Sequence, residues 1–247
     1  MRWYLTTQGP LGATDADFSH AHFVETFNAD LANGIGNCAS RVGNMIAKYF
    51  DGAVPDLVHS GEFFRRVGGS TPLDAAVGAR ALAGNPVAPG SEARGFSLSG
   101  ECARAVAGFA GAVGAVRLDA ALREGMAIVR SVDDFISHTA PFTLAKRMDE
   151  VDDGRIALAA ILYSCAEAVR IASLLLFPAC PAKMAALWRT WGCSALVDPH
   201  DINSGFVAPL SELAAWNGAH ALKPRQPLAK GDILFMRADP AEAAPTI

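Results

Sequence analysis

The stretch NADLANGIGNCASR, residues 28–41, decides how the rest of the sequence is interpreted. It lies inside a longer segment, about His20 to Phe50, where apolar residues recur at helical spacing and predict an amphipathic helix. Asn33, Asn37 and Arg41 are spaced four apart on this helix and therefore point the same way. From first to last they cover about 12 Å at a rise of ~1.5 Å per residue.

This row of polar side chains fits two interpretations. Asn carries an acceptor and two donors and Arg five donors, which suits the flat, exposed edges of unpaired RNA bases. An ordinary solvated helix face explains the same spacing, and on spacing alone that explanation is favoured. Gly34 and Gly36 shift the balance, because each costs roughly 1 kcal/mol against alanine in a helix interior. The glycines predict a local requirement, either a close helix contact or access by a ligand.

Composition limits the class of protein. The chain has 247 residues, 51% hydrophobic and 19% charged, with a net charge of −4. A chain of this length and composition forms one large or two small domains with a real core. The net charge argues against a surface covered in positive charge, although it leaves room for a local patch that meets RNA.

Five cysteines, an odd number without a C-x-x-C pair, fit reduced and mostly buried thiols in a cytoplasmic protein. The six histidines show no spacing typical of metal ligands. The first ten residues contain no apolar core of a secretory signal. The apolar run at 157–177 contains Glu167 and Arg170, so it predicts a core helix rather than a membrane span.

The order of predicted elements gives an all-α fold, an antiparallel helical bundle with irregular terminal segments. Residues 1–19 are polar and turn-rich, residues 52–96 form a loop-rich insertion, and residues 192–247 are irregular. The insertion contains one short predicted helix around Leu73–Leu82. Between these segments we predict the main helices: His20 to Phe50, Ser99 to Thr139 as one helix or two, Asp152 to Phe177, and Pro181 to Trp191. In the second of these the predicted buried stripe is Leu118, Leu122, Met126, Val129, Val132 and Ile136.

A second candidate binding feature is the turn TAPFTLAK, residues 139–146. Phe142 follows Pro141 at a predicted helix end, and the cations Lys146 and Arg147 lie just beyond. A ring held there could stack on a nucleobase, a contact worth about 1–3 kcal/mol. Taken alone, Phe142 is better explained as a side chain that fills the bundle.

Several segments together resemble a known family. HFVETFNADLANGIGNCASRVGNMIAKYFDG is similar to the opening helix of the anticodon-binding domain of methionyl-tRNA synthetases. DFISHTAPFTLAK resembles that domain's later helix and aromatic turn, LYSCAEAVRIASLLLFPACP its core helix, and LFMRAD its terminal tail. YLTTQGPLGATDADFS resembles the linker that leaves the catalytic half. Residues 52–96 and about 192–230 match poorly.

The resemblance implies roles for particular residues. Asn33, Asn37 and Arg41 occupy the positions that read the CAU anticodon of the methionine tRNA. Phe142 occupies the position of an aromatic residue that stacks on an anticodon base, usually a tryptophan. Phenylalanine keeps the stacking face but loses the larger indole and its N–H donor. Asp30 matches an acidic residue to which we assign a structural role.

The family's catalytic signatures are absent from this sequence. Neither HIGH nor KMSKS occurs, and no catalytic residues are assigned. The resemblance implies that ATP and an optional zinc ion belong to a catalytic half, so this chain alone should bind no cofactor or metal and should not aminoacylate. The sequence leaves three origins open: a fragment of a full enzyme, a subunit that completes a separate catalytic chain, and a free-standing paralogue.

The predicted partner is therefore the tRNA for methionine, and a separate catalytic chain is an optional second partner. Neither DNA nor a membrane is a predicted partner. The resemblance implies three parts: residues 1–19 as a linker, residues 20–191 as the helical anticodon-binding domain, and residues 192–247 as an extension. The alternative is a helical protein-interaction module, or a free-standing tRNA-binding paralogue, that takes no part in aminoacylation.

Overall fold

A computed structural model describes residues 1–9, 18–56, 97–150, 154–229 and 232–239. The predicted helix at Leu73–Leu82 and most of the 52–96 insertion lie outside these residues. The described helices are α1 (Arg2–Thr7), α2 (His20–Thr26), a π-helical segment (Phe27–Gly36), α3 (Asn37–Tyr49), α4 (Leu98–Gly114), α5 (Leu118–Thr139), α6 (Pro141–Ala145), α7 (Gly154–Leu176), α8 (Pro181–Trp191) and α9 (Leu210–Leu213). The described part is all-α, as predicted, with only isolated bridges between extended residues.

Helix α7 forms the centre of the bundle because it is apolar on every side. Nearly all its residues are buried, and it packs against α3, α4, α5, α6 and α8. Its length and composition would allow it to cross a membrane, but its most apolar window is 100% buried inside the protein. It runs antiparallel to α5, since Gly125 near the start of α5 meets Leu176 at the end of α7.

The predicted helix over 99–139 is two helices, one of the two forms that the sequence left open. Helices α4 and α5 form an antiparallel hairpin in which Arg104 pairs with Glu124 at 3.2 Å. Leu118, predicted to be buried, is 46% exposed because it is the first residue of α5, at the tip of this hairpin. The other five residues of the predicted stripe are buried. Ala140, with φ 45°, ends α5 and Pro141 begins α6, at the boundary predicted from Ala140-Pro141.

A buried ion pair on α7 holds the C-terminal region against the bundle. Glu167 and Arg170 are 0% and 3% exposed, and they are joined by two hydrogen bonds of 2.6 and 2.9 Å. Arg170 also donates to the Leu213 carbonyl at 2.6 Å, and Glu167 accepts from the Leu222 N–H at 3.0 Å. The two charges that argued against a membrane span therefore bind residues 213 and 222 to the core.

The N-terminal segment is more structured than the sequence predicted. Residues 2–7 form helix α1, which buries Trp3 and Tyr4, instead of a polar turn-rich stretch. Tyr4 makes edge-to-face contacts with the rings of Phe18 and Phe23 on the α2 side. Composition missed this helix because two large aromatic residues supply most of its buried surface.

All five cysteines are free thiols, as predicted. Cys38, Cys102 and Cys165 are buried, whereas Cys180 and Cys193 are half-buried. Burial raises the pKa of Cys102 and Cys193 to about 12 and that of Cys180 to about 11. These thiols are therefore protonated components of the core at neutral pH.

Candidate functional site

The three polar side chains of the opening helix lie on the face opposite its core stripe. Asn33 and Asn37 are exposed, and Arg41 is half-buried. The opposite face buries Leu31, Ile35, Cys38 and Val42 in the core. Neither Asn33 nor Asn37 has a side-chain hydrogen-bond partner within the described parts of the chain, so both amides face solvent with their bonding groups available.

The row of polar residues is not a straight ladder. Asn33 lies in the π-helical segment, whereas Asn37 and Arg41 lie in α3, and Gly34 between them has non-helical angles of φ −82° and ψ −111°. Asn37 and Arg41 keep α-helical spacing, but Asn33 is displaced from their line by this kink. The sequence missed the π-helix because its apolar positions are compatible with an ordinary α-helix.

The two glycines are explained by close contacts. A Cβ atom on Gly34 would lie 2.8 Å from the Met126 Cε of α5, and one on Gly36 would lie 2.9 Å from the Leu31 carbonyl oxygen. The second position is the more restrictive, since backbone cannot move aside as a methionine terminus can. Of the two explanations left open by the sequence, these contacts support close approach.

Arg41 is held by an acidic residue that sequence reasoning missed. Its Nη1 atom donates to Oδ1 of Asp133 on α5 at 2.8 Å, and the two side chains are 34% and 35% exposed. Burial raises the pKa of Asp133, Arg41 lowers it and neighbouring Asp134 raises it further, with a net upward shift. The residues are 92 positions apart, so no local pattern could have joined them.

Phe142 lies on the solvent side of α6 and is 44% exposed, so it does not fill the bundle. Gly34 lies beside Met126 of α5, and Arg41 pairs with Asp133 of α5. The second contact is seven positions further along both helical segments. The π-helical segment and α3 together therefore run in the same direction as α5 here. Since α5 ends about 9 Å beyond Asp133 at ~1.5 Å per residue, Phe142 lies past the Arg41 end of the row, away from Asn33.

Cations follow the exposed ring. Lys146 and Arg147 are both exposed just after α6. The Arg147 Nε lies 3.7 Å from an oxygen of Glu150, an exposed pair that water and salt weaken. This end of the bundle therefore presents an exposed ring followed in sequence by two exposed cations, of which Arg147 is ion-paired.

The opening helix is also fixed from its other side. The Trp3 indole N–H donates to Oδ2 of Asp30 at 2.9 Å, a contact that supports the structural role expected for Asp30. Asn28 donates to the Ala238 carbonyl at 2.8 Å and accepts from the Ala238 N–H at 2.9 Å. The α1 helix and the 232–239 tail thus bind the π-helical segment two positions apart.

Large apolar side chains remain exposed on these two bound segments. Met1 and Leu5 of α1 are 63% and 49% exposed, and Ile233 and Met236 of the tail are 67% and 74% exposed. Phe18, which packs on Tyr4, is 55% exposed. Among the described residues no group of three or more His, Cys, Asp or Glu side chains could hold a metal ion.

Comparison with known proteins agrees with the family indicated by the motifs. A family model described as class I tRNA synthetases (M) matches residues 1–43. The methionine–tRNA ligase of Streptomyces coelicolor is 29% identical over 98% of this chain and 38% of the ligase. That of Halalkalibacterium halodurans is 31% identical over 78% of this chain and 24% of the ligase. The first alignment includes the regions at 52–96 and 192–230, which the motifs alone did not match.

Solved structures give the same result. The apo methionyl-tRNA synthetase of Mycobacterium tuberculosis has a TM-score of 0.65 at 24% identity, over 96% of this chain and 38% of that one, which supports the fold. The enzyme from the same organism bound by methionyl-adenylate has a TM-score of 0.63 at 25% identity, over 95% of this chain and 37% of that one. The chain spans 24% to 38% of the length of these relatives. It is therefore a homologue of the methionyl-tRNA synthetases that aligns with only part of those enzymes.

Proposed function

We propose that this chain is the tRNA-recognition part of a methionyl-tRNA synthetase and that it reads the CAU anticodon in support of methionine aminoacylation. The observation that carries the proposal is the solvent-facing row Asn33, Asn37 and Arg41 on a helix of a synthetase homologue. The two amides are exposed and have no hydrogen-bond partner in the described regions, so their donors and acceptors are available to a base. A solvated helix face would present the same two amides, and the relationship to the synthetases is what favours recognition.

The donors of Arg41 favour cytosine as the first base. Asp133 occupies Nη1, which leaves the fork formed by Nε–H and Nη2–H without a partner among the described residues. Two parallel donors match two adjacent acceptors, and the Watson–Crick edge of cytosine offers them as O2 and N3. Uracil places an N3–H donor beside its O2, so it opposes one member of the fork. Arg41 can therefore distinguish CAU from UAU.

Stacking and charge supply the remaining affinity. The exposed Phe142 ring offers a face to an anticodon base, with an expected contribution of about 1–3 kcal/mol. Lys146 and Arg147 lie close to it in sequence and can meet backbone phosphates, a contribution that salt reduces. Because the net charge of the chain is −4, binding is expected to depend on this local surface.

We further propose three parts: residues 1–19 as the connection to a catalytic half, 20–191 as the recognition domain and 192–247 as an extension. The exposed Met1, Leu5, Ile233 and Met236 support a contact between this end and catalytic machinery, in the same chain or another. ATP and any zinc ion would be bound by that half, in the cytoplasm.

Binding of short RNA hairpins tests the recognition proposal. The purified chain should bind an anticodon stem-loop with CAU more tightly than one with UAU, and Arg41→Ala should abolish that preference. Arg117→Ala is the control, because Arg117 is likewise ion-paired to an aspartate, with Asp119 at 3.2 Å. Arg117 lies just before the first turn of α5, about 24 Å along that helix from Asp133. Equal, weak binding of both hairpins would contradict recognition.

The second candidate is a protein-interaction module, favoured by the exposed apolar side chains of α1 and the tail. An interaction module would show no anticodon preference. It would associate with itself or with a partner protein, and Leu5→Ser should weaken that association. A self-sufficient ligase is the third candidate. It would show methionine-dependent ATP–pyrophosphate exchange, which we expect to be absent from the isolated chain.

A further inference from the structure

The Arg41–Asp133 contact assigns a role to Asp133 that the proposed function does not include. It joins α3 to α5 through one hydrogen bond of 2.8 Å between half-exposed side chains. We propose that Asp133 is a positioning residue that holds the Arg41 guanidinium with its Nε/Nη2 edge toward an incoming cytosine. This inference rests on the proposed function, since it concerns how the same recognition site is prepared.

The geometry of the contact leaves the reading edge open. In a guanidinium group, Nε–H and one N–H of Nη2 point the same way and form a fork. A carboxylate bound to both would block the edge that faces a base, whereas Asp133 binds only Nη1. The carboxylate therefore restricts the long Arg side chain without using the donors that discriminate between bases.

Restriction of this kind improves discrimination. An unrestrained arginine would sample several rotamers and would lose that freedom on binding the base. Asp133 orders the side chain before RNA arrives, because its Cα is fixed on the long helix α5. Removing an ordering cost of this size should strengthen the cytosine contact about five- to tenfold.

The opposite role for Asp133 is also testable. A carboxylate beside Arg41 could compete with RNA for the guanidinium and repel its phosphates, in which case its removal would tighten binding. Asp134 is the matched control for repulsion. It carries the same charge one residue away and is exposed, and its side chain has no hydrogen-bond partner within the described ranges.

The experiment compares binding of CAU and UAU stem-loops by fluorescence anisotropy for the whole chain and its variants. Asp133→Ala should reduce the preference for CAU about five- to tenfold, and Asp133→Asn, whose amide oxygen still accepts from Nη1, should keep most of it. Asp134→Ala should leave the preference unchanged. In an Arg41→Ala background, Asp133→Ala should have no further effect on binding, which a general loss of structure would not reproduce. Asp133→Ser, too short to reach Nη1, replaces Asp133→Ala if that variant folds poorly.

The outcomes separate this proposal from the function on which it rests. A wild-type chain without any CAU preference contradicts the proposed function itself. A wild-type preference that Asp133→Ala and Asp133→Ser leave intact contradicts only the positioning role. Tighter binding by these two variants, with the preference retained, also overturns it and identifies Asp133 as a competitor for Arg41.

Discussion

The side-chain amide of Asn28 and the backbone of Ala238 exchange two hydrogen bonds, of 2.8 and 2.9 Å, across 210 positions of sequence. This reciprocal pair of hydrogen bonds resembles the pairing of two β-strands and attaches the tail to the π-helical segment. Asn28→Ala should lower the free energy of unfolding by about 1–2 kcal/mol, since two net hydrogen bonds are lost. Hydrogen exchange at residues 235–239 should become faster.

Asn33→Ala is the control for this change, because Asn33 lies on the same segment and is exposed to solvent. Its effect on unfolding should stay within about 0.5 kcal/mol. Unchanged exchange at the tail in the Asn28→Ala variant would mean that Phe235, which is buried against Phe27, holds the tail without Asn28.

The chain offers two Glu–Arg pairs with the same i,i+3 spacing and opposite burial. Glu167→Gln leaves the buried Arg170 charge without its carboxylate and should cost about 3–5 kcal/mol. Glu101→Gln affects a pair whose side chains are 31% and 54% exposed and should cost less than about 1 kcal/mol. Urea denaturation of both variants checks the difference, and equal costs would show that the buried network contributes little.

Alkaline pH should destabilise the fold through its buried thiols. Burial raises the pKa of Cys102 to about 12, whereas an unfolded thiol titrates near ~8.5. The folded chain therefore retains a proton that the unfolded chain releases. The stability that this thiol contributes is fully present below its pKa in the unfolded chain. It is lost as the pH rises toward its pKa in the folded chain. Each pH unit in that window should cost about 1.4 kcal/mol per thiol.

Urea midpoints at pH 8 and pH 10 test this effect. Cys102→Ala should lose less stability between the two pH values than the wild type, by the contribution of one thiol. Val106→Ala, on the same helix and partly buried, should lower stability equally at both pH values. A Cys102→Ala variant with the wild-type pH dependence would assign the alkaline transition to other groups.

The ring at position 142 allows a test of stacking that separates ring chemistry from apolar bulk. Phe142→Trp should tighten binding of the CAU hairpin, because the indole has a larger face, and Phe142→Ala should weaken it by about 1–3 kcal/mol. Phe142→Leu keeps much of the apolar surface without the π face and should resemble the alanine variant. If leucine binds like phenylalanine, the contact is not stacking. Circular dichroism would confirm that the variants are folded.

Much of the fold could be predicted because it follows from local patterns. The 181–191 helix begins with Pro181 in its first turn and ends at Gly192, which is in a left-handed conformation with φ 64°. The apolar stripe of α5 was legible for the same reason, apart from Leu118. These features depend on residues within a few positions of each other.

The remainder depends on contacts between distant residues. Gly34 lies against Met126, which is 92 positions away, and the glycine was the available signal of that contact. Asp133 gave no signal at all, because its hydrogen-bond partner is 92 positions away. At the candidate site, spacing identified which side chains lie on the solvent face of the helix. It could not show that Arg41 is hydrogen-bonded to another side chain.

The attachments of Trp3 and Ala238 to one helical turn, at Asp30 and Asn28, have a mechanical consequence. Any polypeptide joined before residue 1 and after residue 239 would leave the protein from adjacent points. Tension between two such extensions would act on the helical turn at residues 28–30 before it reached the packed helices α5 and α7. The same turn leads directly to Asn33. Strain imposed through α1 or the tail would therefore distort the backbone beside the polar row first.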